Sequence, residues 1–319
     1  MKEKKCYFND SLRLDIYLIG YDPEGESIVF NVIADDMIKY TGVIDCYKQN
    51  GVNLTLQLLE KLKIEKIHLL CWTHPDKDHS LGMEELFSKL SWDSWFYRPE
   101  NIEAHLEKIK KNFPEIYGFI SEQYQSSKRR YNIGSMCVGK SVRGIPYKEF
   151  INGIFRYDFD IMGFSPDDRF TSRSDYGGTL LTENGYSIGL WLRLGDLSVI
   201  FTGDINDRII IHIDREFFPK HVDYVKIPHH GSKYSGKLVE LFDTKHKKIY
   251  ASCTTIKQDS RNDLPNQGII DKYKGISSHV FSTSGAKEKK FHYGIIKVSM
   301  DCTDEQCREH YFYGDADEI

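Results

Sequence analysis

Apolar residues in the first part of the chain come in short bursts separated by polar or turn-forming residues. Residues 12–20 and 27–33 form two such bursts around the turn signal Asp22-Pro23-Glu24-Gly25. A third, 40–46, ends in Ile44-Asp45-Cys46, and the three predict an antiparallel meander. The period then changes. Leu54, Leu56, Leu58, Leu59 and Leu62 predict a helix over 52–62. The next burst, 67–72, has charge on one side and Pro on the other, and predicts a buried strand. Residues 80–86, with Glu84 and Glu85, read as the first turn of a helix. The order strand, helix, strand, loop, helix is α/β in character.

The pattern continues with a strand over 92–97. Ile102, Leu106, Ile109 and Phe113 then predict a polar surface helix within 100–129, limited or kinked by Pro114. Residues 134–160 read as strands and turns, and 165–178 as a loop, the segment expected to be most mobile. Residues 186–194 and 197–201 flank Gly195-Asp196, a two-residue hairpin signal. Strands are predicted over 222–227 and 249–253 and near Val280, Ile295 and Tyr311. Helices are predicted over 237–242 and from Gly268. The acidic tail, 314–319, is expected to fray. No internal repeat or low-complexity linker interrupts the chain. It reads as a single domain, 1–319, with a helical insertion around 100–130.

Composition narrows the classes. The chain has 319 residues, 40% hydrophobic and 13% aromatic, which is enough for a large core. A net charge of −4 gives no global basic field, so nucleic acid would have to meet a local patch. Lys128-Arg129-Arg130 and Lys245-His246-Lys247-Lys248 are the candidate runs; each by itself reads better as a solvated face. Seven scattered Cys, an odd number with no CxxC pair, fit a reduced, cytoplasmic protein, with Cys71 and Cys253 as core thiols. Met1-Lys2-Glu3-Lys4-Lys5 precedes only a short apolar stretch broken by Arg13 and Asp15. That predicts neither a signal peptide nor a membrane segment. Residues 100–130 are a candidate surface for a protein partner, with simple solvent exposure as the plainer reading.

Three loops carry ligand-type residues, each directly after a predicted strand. They hold His74, Asp76, Asp78 and His79; Asp204; and His229 with His230. A lone His pair is commonly a capping feature, and a lone Gly-Asp is commonly a turn. All three at strand ends can converge, as ligand loops do in open sheets. Imidazole and carboxylate suit zinc, manganese or iron. The Asp content tilts toward a two-ion hydrolytic site, in which one carboxylate bridges ions roughly 3.5–4 Å apart.

His74-Pro75-Asp76-Lys77-Asp78-His79 resembles the HxHxDH motif of the metallo-β-lactamase superfamily, with Asp76 at the second His position. With Thr202-Gly203-Asp204 and then Pro228-His229-His230-Gly231-Ser232, it is similar to the soluble β-lactamase-like domain of ComEC-type DNA-uptake proteins. Asp45 stands at that group's strand-ending Asp, and Asn184-Gly185-Tyr186-Ser187 resembles its asparagine–serine motif. The resemblance covers roughly residues 12–275. It implies a four-layer αβ/βα sandwich with two divalent ions, Zn or Mn. His74, Asp76, Asp78, His79, Asp204 and His230 would be ligands, and Asp204 the bridge. It further implies Asp78, His229 and Lys233 as catalytic residues, with His229 orienting a ligand or carrying a proton, and Ser232 and Lys233 near a substrate phosphate.

Two departures stand out. No His lies between His105 and His212, and Leu264 occupies the place of a downstream His in that branch. The expected reaction is phosphodiester hydrolysis by a metal-bridged hydroxide, with DNA or RNA as substrate and Lys226 and Lys233 supplying positive charge. Two alternatives remain at this level. One is hydrolysis of a small molecule (cyclic nucleotide, thioester or lactam); the other is a non-catalytic partner protein that retains the fold.

Overall fold

The computed structural model describes residues 4–100, 106–118, 131–167, 183–242, 249–257, 263–304 and 307–319. Two large sheets dominate. The first runs β16-β15-β2-β3-β4-β5-β6-β7. Its strands are β2 (Leu12–Tyr21), β3 (Glu26–Ala34), β4 (Met37–Ile44), β5 (Leu69–Cys71), β6 (Trp95–Pro99), β7 (Asn132–Met136), β15 (Tyr293–Asp301) and β16 (Arg308–Gly314). The second runs β1-β8-β9-β10-β11-β12-β13-β14-β17. Its strands are β1 (Lys4–Tyr7), β8 (Tyr147–Asn152), β9 (Phe155–Ser165), β10 (Gly189–Leu194), β11 (Leu197–Phe201), β12 (Tyr224–Lys226), β13 (Ile249–Cys253), β14 (Ser277–Ser282) and β17 (Asp317–Glu318).

The strands explain the layering, because alternate side chains serve different cores. In β2, Leu12, Leu14, Ile16 and Leu18 face the second sheet, where they meet Leu190, Leu192, Val199 and Phe201. Tyr17, Ile19 and Tyr21 face the other way and pack beneath helices. Those helices are α1 (Leu54–Lys61), α2 (Lys77–Ser80), α3 (Met83–Leu86) and α4 (Leu106–Asn112). They contribute Leu54, Leu59, Met83, Leu86 and Ile109 to that core. On the far side of the second sheet, α5 (Asp207–Ile210) and α6 (Gln267–Ile276) cover Ile200, Val225, Ala251 and Val280 with Ile210, Ile269, Ile270 and Tyr273. Helix, sheet, sheet, helix is the four-layer αβ/βα sandwich expected from the sequence.

Both sheets begin antiparallel and turn parallel. β2 to β4 form a meander, and β4 to β7 are parallel neighbours. β8 to β11 form the second meander, and β11 to β14 run parallel. Parallel strands point their C-terminal ends the same way, so the loops after β4, β5, β11, β12 and β13 gather at one edge.

Several expectations need correction. The single helix expected after the ligand loop is two short helices, α2 and α3, broken at Leu81-Gly82; Gly82 has φ 112°, a conformation that glycine adopts at little cost. The helix over 237–242 is a 3-10 turn, Leu238–Leu241. The tail does not fray. β17 pairs with β14, and buried Asp315 accepts the backbone N–H groups of Lys290, Phe291 and His292. Of the expected surface helix, α4 has Ile109 buried, with Phe113 beyond its end, and it stops before Pro114. Residues 101–105 and 119–130, most of the loop 165–178, and the basic runs 128–130 and 245–248 lie outside the described residues. Among the described residues, no helix is long and apolar enough to cross a membrane.

Candidate metal centre

The ligand loop after β5 is fixed before its side chains are considered. Trp72, fully buried, donates its indole N–H to Ser80 Oγ at 2.9 Å, and Ser80 donates to the Asp76 carbonyl at 2.5 Å. The Cys46 N–H bonds the His79 carbonyl at 3.2 Å. The loop is thereby closed at both ends against the sheet. On the other sheet, Gly203 (φ 51°) lets the chain turn after β11 against Ser187, which a Cβ would strike. Ser187 Oγ then accepts the Asp204 N–H at 2.8 Å. His229 and His230 both have positive φ, 49° and 50°. Such angles are uncommon for residues other than glycine and aim the two rings differently.

These loops bring Asp78, His79, Asp204 and His230 together, with one ligand atom from each lying within 4.8 Å of the others. His79 Nε2 is 3.2 Å from His230 Nε2, 3.4 Å from Asp78 Oδ2 and 3.4 Å from Asp204 Oδ1. His230 Nε2 is 3.1 Å from Asp78 Oδ2 and 3.2 Å from Asp204 Oδ2. His74 Nε2 lies 3.5 Å from Asp76 Oδ2 and 3.9 Å from Asp204 Oδ2; His229 Nε2 is also 3.9 Å from Asp204 Oδ2. Asp204 is the group all four imidazoles share.

Hydrogen bonds behind the rings decide which nitrogen faces the centre. His79 Nδ1 is 2.8 Å from Asp45 Oδ2, a pure acceptor, so Nδ1 carries the proton. Thr73 Oγ1 gives its one proton to Asp45 at 2.6 Å, and so accepts from His74 Nδ1 at 2.9 Å. Thr254 Oγ1 gives its proton to Glu26 at 2.5 Å, and so accepts from His230 Nδ1 at 2.6 Å. All three rings therefore turn Nε2 toward the centre, the second-sphere arrangement that favours metal ligation. His74 Nε2 and Asp78 Oδ2 are buried without a hydrogen bond. Once the rings give up their Nε2 protons, imidazole and carboxylate electron pairs converge on one point, and in that sense these residues fit a divalent ion.

Charge says the same. Glu26, Asp45, Asp78 and Asp204 are set against one buried ammonium, Lys226. Burial opposes ionisation of Asp204 and Asp78, but neighbouring imidazoles outweigh it and hold both carboxyls below the usual range. Burial likewise opposes charge on His230, yet Asp204, Asp78 and Glu26 raise it to about 9. His79 is raised by Asp204, Asp78 and Asp45 against the same burial. The negative field that would hold a cation also draws protons. His229 differs: burial wins over Asp204 and lowers its pKa.

Every ligand-type residue singled out in the sequence reaches this edge of the sandwich, except that Lys233 does not approach the cluster through any hydrogen bond or ion pair. It is exposed, with Nζ 5.1 Å over the Tyr234 ring. Ser232 is buried rather than presented. Lys226 is corrected outright. It is fully buried, 2.8 Å from Glu26 Oε1, 3.0 Å from the Gly203 carbonyl and 3.5 Å from Asp204 Oδ1. Its three donors are committed inside the protein, so it cannot meet a substrate. Asn184 contacts His229 Nε2 at 3.2 Å, and the segment around Leu264 packs beside the His loop, where Asn266 N–H bonds the Gly231 carbonyl at 2.9 Å.

Glu26 and Thr254 escaped the sequence reading. Glu26 opens a fully buried strand, and Thr254 directly follows β13. Those were the available signals: a lone acid at the start of a buried strand, and a hydroxyl at a parallel strand's end.

No protein-family model matches the chain, and no curated protein matches it. Solved structures do. Two are described as possible metal-dependent hydrolases. The one from Parabacteroides distasonis is 13% identical, with TM-score 0.40, covering 80% of this chain and 92% of its own. The one from Veillonella parvula is 14% identical, with TM-score 0.39, covering 83% and 95%. The third, Zn(2+)-bound PqqB from Methylobacterium extorquens, is 10% identical, with TM-score 0.36, covering 66% and 71%. At such scores these likenesses do not bear on the chemistry of the site.

Proposed function

We propose that this chain is a divalent-metal-dependent hydrolase of the metallo-β-lactamase superfamily, acting on phosphodiesters, with the ComEC-like branch as its nearest pattern. The observation that carries this reading is the convergence of Asp78, His79, Asp204 and His230 within 4.8 Å, with the outer nitrogens of both rings already committed. His74 and Asp76, sharing Asp204, complete a set for two ions, Zn or Mn. Four negative charges remain when Asp76 joins the buried carboxylates and Lys226 is subtracted, the amount that two divalent ions cancel.

Bound divalent ions supply water acidified to a pKa of about 7 and a Lewis acid toward the phosphoryl group. The chain's own residues do the rest. Asp78, with 14% of its side chain exposed, sits between the buried ring pair and solvent and can orient an attacking water. His229, 25% exposed and held by Asn184, is neutral near pH 7 and can carry a proton to or from the reacting group. Lys233, exposed in the turn after the His pair, supports binding of an anionic substrate. The Asp-rich ligand set and this cation favour phosphodiesters over lactams or thioesters. All seven cysteines are free and five are buried, which supports a reducing, cytoplasmic setting. We read the chain as one domain, 1–319, with a helical insertion around 100–130.

The test is a metal count on purified protein, followed by a substrate panel. Close to two ions per chain, with Mn- or Zn-dependent cleavage of single-stranded DNA, RNA or bis-p-nitrophenyl phosphate, is the expected result. Cleavage of a lactam or thioester in preference to every phosphodiester would overturn the substrate class. Less than one ion per chain after reconstitution would overturn the metal centre.

A further inference from the structure

The first sheet ends at β7 and the second at β1 beside β8. On that side of the sandwich, residues of both sheets line a groove of about 1310 Å³. It is separate from the ligand cluster, sharing none of its residues. Five lysines and arginines line it against one acid, Asp93, in a chain whose net charge is −4. Asp93 is itself bound to Lys66 at 2.6 Å. Lys140 and Lys148 are paired with Glu100 and Asp160. Arg143 has no ion-pair partner among the described residues; its guanidinium lies 5.8 Å over the Trp95 ring.

The groove is also aromatic. Trp95 and Tyr97 stack, with centroids 5.6 Å apart and planes at 19°. The Arg143 N–H donates to the Tyr97 hydroxyl at 2.9 Å. Gly144 has φ 74°, and a Cβ there would strike the Trp95 indole, so the Arg143-Gly144 turn lies directly on the ring. Trp92 is 74% exposed at the groove, an indole with a face free for a planar guest.

We propose that this groove binds single-stranded nucleic acid. Cations beside the exposed Trp92 indole suit a polyanion whose bases are unstacked, because any base can lie on an aromatic face while the backbone tracks the charge. A duplex keeps its base faces inside its own stack and offers Trp92 nothing to cover. The volume exceeds the roughly 300–1,000 Å³ of small-ligand pockets, which favours a chain over one nucleotide. An acidic peptide would answer the charge but leave the Trp92 indole unused. Position adds a link to the site. β6 lies parallel to β5 with Tyr97 opposite Cys71, three residues before His74, and β7 is two strand spacings from β5, about 10 Å. Trp92 precedes β6 and marks the end of the groove away from the ligand loops, whereas Arg98, near the C-terminal end of β6, marks the end toward them. This inference deepens the phosphodiesterase reading and rests on it for the fate of the bound strand.

The experiment measures binding of a fluorescein-labelled oligothymidylate of about 12 nucleotides by anisotropy, in chelator so that no cleavage occurs. Wild-type protein should bind with an affinity that falls steeply with salt. Trp92→Ala should weaken binding about tenfold, and Arg143→Glu at least as much, with circular-dichroism melting confirming that both variants fold. The inference is overturned by absence of binding at low salt, or by equal binding to wild type and both folded variants. It is also overturned if thymidine monophosphate binds as tightly as the oligomer, or if oligoglutamate displaces it equally well. Groove binding that both variants weaken, in a protein that cleaves no phosphodiester, would support the groove while removing the hydrolase reading. Cleavage of bis-p-nitrophenyl phosphate without oligomer binding would do the reverse.

Discussion

Around Asp204, the ring pair His79 and His230 with Asp78 is compact, whereas His74, Asp76 and His229 stand further off. On the compact side, contacts run from 3.1 to 3.4 Å, and both rings are fully buried. On the looser side, contacts run from 3.5 to 3.9 Å, with 35% of the Asp76 side chain and 25% of the His229 side chain exposed. The difference follows from what stands behind each group. His79 and His230 rest on Asp45 and on Thr254 with Glu26, all inside the sandwich. Asp76 sits at the solvent edge of the loop, and His229 is steadied by Asn184 alone among the contacts described. His74 lies between the two cases, buried and braced by Thr73 yet distant from Asp204. A site of this kind pairs one rigid ligand set with one that can adjust to substrate, and preorganisation is strongest where the supporting side chains are buried.

Breaking the compact side should have the largest effect. Asp78→Ala and His79→Ala are expected to lose bound metal and to lower kcat/KM by more than the roughly 100-fold that removal of an outer partner costs. Metal analysis beside kinetics checks this, and either variant retaining full metal and activity would dissolve the comparison. Next comes the charge behind Asp204. Lys226→Met leaves Glu26 and Asp204 uncompensated in the interior and should cost about 3–5 kcal/mol in urea unfolding. A loss within experimental scatter would mean that Lys226 does not hold this network together.

Asp76→Asn tests the looser side. Its expected signature is a drop from two ions toward one, with the tighter ion kept; loss of both together would show that the two sides are one cooperative unit. The mildest effect is a pH trend in the metal-free protein. His230 is raised from 6.5 to about 9, so the folded state holds a proton that the unfolded state has released. That stabilisation is complete below about pH 6.5 and is lost as pH rises through about 9. Melting temperature in chelator should accordingly fall across this window, and added Zn or Mn should flatten the trend. A flat trend in chelator would show that His230 is not in this negative field.

The legible part of the site was its ligands, because strand-end loops dense in His and Asp carry a spacing signal. His74, Asp76, Asp78, His79, Asp204 and His230 all arrive at one edge, and the asparagine–serine pair meets them: Asn184 at His229 and Ser187 at Asp204. What lay behind them was less legible. Lys226 reads from the sequence as a surface cation and proves to be an internal counter-ion, since nothing in the local pattern says that Glu26, some 200 residues earlier, will lie 2.8 Å away. The tail reads as frayed because its composition is acidic, yet Asp315 caps three backbone N–H groups of a distant turn. The groove was invisible for the same reason: the Trp92–Trp95 segment and Arg143 are far apart in the chain.

The sequence by itself determined the α/β class, nearly every strand, and the candidate ligands, because periodicity and loop chemistry are local properties. Only the tertiary structure decided which nitrogen of each ring faces inward, which lysine is buried, and which carboxylates brace rather than bind. Those properties depend on contacts between β3, β4, β12 and the loop after β13, strands from two sheets that meet only when the sandwich closes. Burial then raises the worth of each such contact, since a charge or lone pair removed from water must find its partner within the protein.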